Sequence, residues 1–264
     1  IINAEQKKIS DHLNNFSSRE NCLLCRSKLK GKKFIHRGIP YLKCEKCNHI
    51  QTKSKLELNY PYSFKDKVFE KIYPDLDEKK YNDRVKRIYE PKLNWILESI
   101  NNYKISDVVN KSWIDLGCGA GYFLKALLKN KISNIKGVDG NNQLINYANH
   151  HCKRNVAAQV EDILCAIKND SSNIITAFFV LEHLENVYQL FDIMKLKKRG
   201  TIFAFSVPTF GFSTIIESAF SDHCARNLDN VVHTQLYTYE SINYAMENSG
   251  YEIIGEWIFG QDLR

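Results

Sequence analysis

Ile114-Asp115-Leu116-Gly117-Cys118-Gly119-Ala120-Gly121-Tyr122-Phe123 is the stretch that decides the fold of this chain. An apolar segment ends in an acid, three glycines follow at alternate positions, and a helix-like run begins. Glycine permits a sharp turn and a close backbone approach to a ligand. A helix starting there aims its unpaired N–H groups into the same space. That is how a nucleotide-like cofactor site is built after the first strand of an α/β sheet. The spacing is G-x-G-x-G. The dinucleotide fingerprint G-x-G-x-x-G places its third glycine one residue later, where this chain has Tyr122. The spacing therefore disfavours a pyrophosphate site and a nicotinamide enzyme.

The pattern on either side continues the alternation of strand and helix. Tyr122 to Leu128 reads as an amphipathic helix, and Ile135 to Asp139 as a second strand ending in an acid, 18 residues after Gly121. Gln143 to Arg154 reads as a helix and Val156 to Val160 as a short third strand. Ile174 to Leu181 is a continuous apolar run, as a strand buried on both faces would be. Thr201 to Val207 is a fifth strand, closed by Pro208. Thr238 can cap a helix over Glu240 to Asn248 with Gly250 at its end, and Tyr251 to Phe259 reads as a sixth strand. Upstream, Tyr81 to Ile100 looks helical, with Pro91 as an interruption or a new start. The fold class is α/β.

The unbroken match from Ile114 to Gly121 resembles motif I of the class I S-adenosylmethionine-dependent methyltransferases, hydrophobic-D-hydrophobic-G-C-G-x-G. The resemblance implies a Rossmann-like sheet with helices on both faces and S-adenosyl-L-methionine as cofactor. It assigns Asp115, Gly117, Cys118, Gly119, Gly121 and Tyr122 to the cofactor site. Asp139 and Gly140 would lie at the ribose, with a helix cap or turn aspartate as the alternative for Asp139. Asp162 and Ile163 would lie at the adenine, a solvated turn acid being the alternative for Asp162. Val180 would close the site from the fourth strand. Glu182-His183-Leu184 resembles the E-H-hydrophobic signature after that strand in the small-molecule branch of the family. The family commonly has an aspartate entering this strand, whereas this chain reads Ser172-Asn173-Ile174. The family sheet has a seventh strand, which is not found before Arg264. With Ile1 in place of an initiator methionine, this is expected of a part of a longer polypeptide or of trimmed ends.

A second signal lies near the N-terminus. Cys22, Cys25, Cys44 and Cys47 form C-x2-C-x18-C-x2-C, a spacing within the structural zinc pattern. Two tight turns each present two thiolates, and four thiolates close a tetrahedron around Zn2+ with no open position, so the metal would be structural. Disulfides are the alternative. The other cysteines, Cys118, Cys152, Cys165 and Cys224, are scattered through apparent helix and sheet, which suits a reducing, cytoplasmic setting.

Composition agrees with one ordinary core plus an appendage: 264 residues, 44% of them hydrophobic. No apolar run approaches a membrane span. The net charge of +7 is uneven, with 22 Lys and Arg against 13 Asp and Glu in residues 1–100. Arg26, Lys28, Lys30, Lys32, Lys33 and Arg37 surround the cysteine loop. They could grip a nucleic acid backbone, face a substrate diphosphate, or form a solvated surface. The remaining residues, 15 basic against 17 acidic, argue against a nucleic-acid partner.

Three segments are expected: a zinc module over 1–55, a Tyr-rich connector over 56–87 and a cofactor-binding domain over 88–264. The whole arrangement resembles bacterial methyltransferases of sugar and surface-polysaccharide pathways, including the nucleotide-sugar C-methyltransferases. His233-Thr234-Gln235-Leu236-Tyr237-Thr238 looks like that group's H-x-x-x-Y-(T/S) stretch. The resemblance implies a small sugar or nucleotide-sugar acceptor, methylated on oxygen or carbon. A hydroxyl or carbon acid needs a base, and histidine titrates in the right range. His183 and His233 are the candidates, with Glu182 orienting His183 or binding substrate and His223 a further choice. Tyr81 and Arg84 could reach the methionine carboxylate of the cofactor, a solvated helix face being the favoured alternative. The alternatives are a zinc-containing RNA methyltransferase and a non-catalytic cofactor-fold module.

Overall fold

The structure, a computed structural model, describes residues 17–36, 39–55, 77–211, 214 and 234–258. Near the N-terminus β1 (Lys33–His36), β2 (Ile39–Lys43) and β3 (Ile50–Thr52) form an antiparallel meander. The central sheet consists of β4 (Trp113–Leu116), β5 (Ile135–Asp139), β6 (Ala157–Gln159), β7 (Ile174–Phe178) and β8 (Ile202–Ser206). Its order is β6-β5-β4-β7-β8, and every neighbouring pair is parallel. The chain winds outward from β4 to β6, then crosses back to β7 and β8. The order therefore reverses at β4, and ligands of open α/β sheets bind beyond the C-terminal strand ends at such a point.

The helices α1 (Glu78–Arg84), α2 (Glu90–Asn102), α3 (Tyr122–Lys129), α4 (Asn142–Cys152), α5 (Ile163–Lys168), α6 (Val187–Lys195) and α7 (Tyr239–Ser249) divide between the two faces of this sheet. Strand side chains alternate between faces, and the two cores follow that alternation. Trp113, Ile135 and Ile174 pack with Leu93, Phe123 and Leu144 of α2, α3 and α4. Ile114, Val138 and Ile175 pack with Ile167, Leu190 and Met246 of α5, α6 and α7. All four residues of β4 and the first four of β7 are buried, which is why β7 reads as an apolar run and why Asp115 of β4 is enclosed.

The helix expected over Tyr81 to Ile100 is interrupted near Pro91: α1 passes through one π-helical turn, Val85–Tyr89, directly into α2. Pro91, which has no N–H to donate back, is the second residue of α2. One element differs from expectation. Tyr251–Ile258 is not the expected sixth strand; these residues adopt no regular structure. The segment is drawn to α2 instead. A Cβ on Gly255 would lie 2.5 Å from Ser99 Oγ, the rings of Trp257 and Trp95 are 6.1 Å apart, and Tyr103 donates to Glu252. Among the described residues the outer edge of β8 is left without a strand partner.

The N-terminal meander is not a separate lobe. β9 (Gln235–Leu236), from the far end of the chain, adds to β3 and completes a sheet of order β1-β2-β3-β9.

Candidate active site and cysteine cluster

The glycine turn joins β4 to α3. Gly117, Gly119 and Gly121 all have positive φ, +63°, +52° and +74°, a region costly for residues with a Cβ. At Gly121 a Cβ would also lie 2.6 Å from Ala148 Cβ of α4, and at Gly117 one would lie 2.5 Å from Val180 Cγ2. These two glycines let α4 and the segment after β7 close onto the turn. Gly119 is different: a Cβ there would meet nothing within 4 Å, so its backbone faces open space. Cys118 points the other way. Its sulfur lies over Gly137 of β5, where a Cβ would come within 2.7 Å of it. Cys118 is thus a small packing residue beneath the turn.

Asp139 ends β5 at the rim of this space. Its Oδ2 accepts from Gly119 N at 2.9 Å and its Oδ1 from Asn141 N at 2.8 Å. It is not a helix cap; Asn141 caps α4, accepting from Gln143 N and Leu144 N. Gly140 beside it is exposed. Asp162 is exposed and caps α5, accepting from Leu164 N at 2.8 Å, with Ile163 the first residue of that helix. Asp115 is buried inside the sheet, where Thr176 Oγ1 donates to its Oδ1 at 2.6 Å. Burial pushes its carboxyl up to about 7 against the opposing pull of Thr176.

Aromatic rings back the turn. Tyr122 stacks on Tyr81 with centroids 4.5 Å apart and on Tyr89 at 5.4 Å, and Tyr81 stacks on His151 at 3.7 Å. The Arg84 guanidinium lies 5.0 Å above the Tyr122 ring. Tyr81 is buried and its hydroxyl donates to the carbonyl of Ala120 at 2.9 Å. It braces the glycine turn from α1. An i-to-loop contact of this kind leaves no periodic mark in the sequence.

The second wall of the site follows β7. Phe179 has φ +57° and is exposed. Its N–H donates to both the carbonyl and the hydroxyl of Ser206, which holds a left-handed residue unusual for a bulky side chain. Val180 is buried against Gly117, and Leu181–His183 forms one 3-10 turn. Glu182 is fully buried, and burial pushes its carboxyl up to about 8 with Lys92 opposing. His183 is exposed. The E-H pair thus has one enclosed member and one at the surface. His233 and His223 lie outside the described residues.

Lys92 is a polar residue of this region that the sequence reading missed. It is buried on α2, its Nζ 4.4 Å from the Phe179 ring centre, 4.9 Å from Phe178 and 5.2 Å from Tyr89. Burial pulls its ammonium down to about 8, with Asp115 the strongest opposing charge. Its signal was faint: it sits four residues before Ile96, on the buried stripe Leu93, Ile96, Ile100.

The four cysteines converge. The Sγ atoms of Cys22, Cys25, Cys44 and Cys47 lie within 4.8 Å of one another. Cys22 and Cys47 are 3.6 Å apart and Cys25 and Cys44 3.7 Å. Four sulfurs on a tetrahedral zinc at about 2.3 Å would be about 3.8 Å apart, so the spacing fits that ion. The two turns that deliver them are alike. Arg26 N donates to Cys22 O and Asn48 N to Cys44 O, and both Arg26 and Asn48 are left-handed. Donation from Cys47 holds the Cys22 thiol low, at about 5, and the same bond raises Cys47.

A parallel sheet reversing at a glycine turn, an acid at the tip of the adjacent strand and an acid-bearing turn after β7 define a class I S-adenosylmethionine-dependent methyltransferase. The profile of the family described as methyltransferase domain matches residues 81–256, and the chain belongs to that family. It is similar in fold to the magnesium protoporphyrin IX methyltransferase of Synechocystis PCC 6803, solved with bound S-adenosylhomocysteine. Identity there is 13%, over 73% of this chain and 86% of that chain, with a TM-score of 0.50. The methyltransferase domain of a bacterial Hen1 protein, CtHen1, is 23% identical over 61% of this chain and 85% of that chain, at TM-score 0.41. An S-adenosylmethionine-dependent methyltransferase from Archaeoglobus fulgidus is 20% identical over 72% and 74%, at TM-score 0.43. No curated protein matches the chain.

The protein is therefore an enzyme of methyl transfer with S-adenosylmethionine as cofactor. Among the described residues no helix is long and apolar enough to cross a membrane.

Proposed function

We propose that this enzyme methylates a small acceptor, a sugar or nucleotide-sugar, at the end of the sheet between the glycine turn and the Glu182–His183 turn. The observation that carries the location is the open space over Gly119, with Asp139 at its rim. The cofactor supplies a methyl group already activated on a sulfonium. The protein's part is to hold the acceptor in line and remove its proton. Gly117, Gly119, Gly121 and Tyr122 form the floor. Asp139 and Gly140 take the ribose end, Asp162 and Ile163 the adenine end, and Val180 closes the wall. His183, exposed on this turn, is the base, the role an imidazole side chain suits. Glu182 is buried beside His183 in the same turn, where burial raises its carboxyl, and it orients that histidine or binds substrate.

The acceptor class rests on the resemblance of the four-cysteine segment and the H-x-x-x-Y-T stretch to polysaccharide-pathway methyltransferases. Structural zinc in the cysteine cluster completes the reading. The basic loop around it is partly engaged within the protein: Arg26 pairs with Asp192 and lies over the Tyr188 ring at 5.0 Å. That favours a small acceptor over an RNA track.

Calorimetric titration with S-adenosylhomocysteine, followed by a radiolabel screen of nucleotide-sugars, glycans and short RNA, tests the proposal. Labelled sugar with an unlabelled RNA arm is the expected result. Label in RNA, with affinity falling steeply as salt rises, would replace the sugar reading. The metal is tested by elemental analysis, one zinc per chain being expected.

A further inference from the structure

β9 does more than add an edge to the N-terminal sheet. Gln235 pairs with Gln51 in the β3–β9 ladder and is completely buried. Its side chain points across to the turn that carries Glu182 and His183. Gln235 Nε2 donates to the carbonyl of Leu181 at 3.3 Å and to that of Leu184. These two carbonyls bracket the E-H pair. Both hydrogens of the amide are then engaged, so Oε1 must be the acceptor for the remaining partner, His49 Nε2 at 3.0 Å. That fixes His49 as the Nε2–H tautomer. His49 follows Cys47 and Asn48 in sequence, and Cys44 N donates to its carbonyl.

Neighbouring bonds repeat the arrangement. Thr234 Oγ1 donates to Glu182 O at 3.3 Å, and Tyr237 OH to Leu181 O at 3.5 Å. On the far side of the turn, Tyr188 N donates to Leu23 O, and Leu23 N to Gln51 Oε1 at 2.7 Å. Arg19 Nη2 donates to both carboxylate oxygens of Glu185, one residue beyond Leu184. The turn is thus gripped through backbone carbonyls by a segment that belongs structurally to the cysteine module. A single 3-10 turn has too few internal hydrogen bonds to hold itself.

We infer that Gln235 is a positioning residue, a clamp through which the four-cysteine module holds the Glu182–His183 turn in its active geometry. The inference rests on that turn belonging to the methyl-transfer site. The clamp acts on the backbone, so it sets how deeply Glu182 is buried against Lys92 and Tyr237 and how far His183 projects, without touching substrate itself.

The test uses the full chain as purified with its metal and needs no acceptor. Hydrogen exchange reports the Leu181–Leu184 amides, and carbon NMR of glutamate-labelled protein, assigned with Glu182→Gln, reports the Glu182 titration. In Gln235→Met the side-chain length is kept and both donors are lost. Exchange across the turn should then rise at least tenfold while α3 is unchanged. The Glu182 midpoint should fall by at least one pH unit as the turn admits water. Gln235→Glu guards against a folding failure of the first variant. A carboxylate facing two carbonyls should loosen the turn at high pH and let it reclose at low pH, relative to α3 amides. Ser249→Ala, which removes a buried hydroxyl of α7 bonded to Ala245 O, controls for general loss of stability.

The clamp is overturned if turn exchange and the Glu182 midpoint stay at wild-type values in the Gln235 variants, or move no more than in Ser249→Ala. A failure of the unaltered protein to bind S-adenosylhomocysteine would instead count against the cofactor reading, because exchange and titration are read without ligand.

Discussion

Asp139 holds two backbone N–H groups at once, one from the glycine turn and one from the start of α4. A carboxylate so placed both shapes the turn and offers acceptors at its rim. Hydrogen bonds to charged groups contribute about 1.5–3 kcal/mol each. Asp139→Ala should therefore weaken S-adenosylhomocysteine binding by at least tenfold in calorimetry. Gly119→Arg should abolish it, since the new side chain would occupy the open space and adopt an unfavourable positive φ. Wild-type affinity in both variants would remove this turn from the cofactor site. Asp115 makes a separate case. Burial raises its folded-state value to about 7, above the ordinary carboxylate value. The fold thus favours the protonated form, and its stability falls as pH rises from the unfolded value through about 7. Asp115→Asn keeps an acceptor for Thr176 and carries no charge. The variant should withstand urea better than wild type at pH 8, and the advantage should shrink toward pH 5. The change is at most about 1.4 kcal/mol per pH unit. An advantage that grew on acidification would show that the carboxylate is stabilised in the fold.

Among the elements, α7 was the most readable. Thr238 and Gly250 mark its ends in the sequence, and the helix found is Tyr239–Ser249 with a reciprocal Thr238–Ser241 capping box. Thr238 also donates to Asn48 O at 3.2 Å, so its loss touches the cysteine turn as well. Thr238→Ala should cost about 1–2 kcal/mol and lower Tm by a few degrees, whereas Thr238→Ser should retain most of the stability. Equal melting of the two variants would mean that the cap is dispensable. The fourth strand of the central sheet, β7, was readable for a related reason: burial on both faces imposes an apolar run that local sequence records. Tyr251–Ile258 has the same composition but lies against Trp95 and Ser99 of α2, a long-range preference that no local pattern encodes. The π turn at Val85–Tyr89 escaped notice because a π turn has no period of its own in so short a segment. The contacts of Tyr81, Lys92 and Gln235 were likewise hidden, since each acts on a backbone or ring far away in sequence. What the sequence did record was the glycine spacing, the acids at strand ends and the cysteine pairs, all determined within a few residues of chain.

Taken as a whole, the molecule is tied together where its sequence suggests a division. The sheet that leads to the cysteine cluster is completed by β9. Arg19, almost wholly buried, joins Thr52 and Ser54 of the module to Glu185 of the catalytic segment. An appended module would share few such contacts and would melt independently. The shared strand β9 and the half-buried Arg19–Glu185 pair couple the two parts into one cooperative unit. A four-thiolate metal site contributes its binding energy directly to folding. With the proposed zinc held by the four thiolates, stripping it with a chelator, or replacing Cys44 by serine, should therefore lower the melting temperature of the entire chain by well over 5 °C. Calorimetry should show one transition before and after. S-adenosylhomocysteine added to the metal-loaded protein should raise that same transition, as any ligand of the native state must. Two separated transitions, with the ligand moving only one and the chelator only the other, would show that the module folds alone and that β9 is a loose attachment.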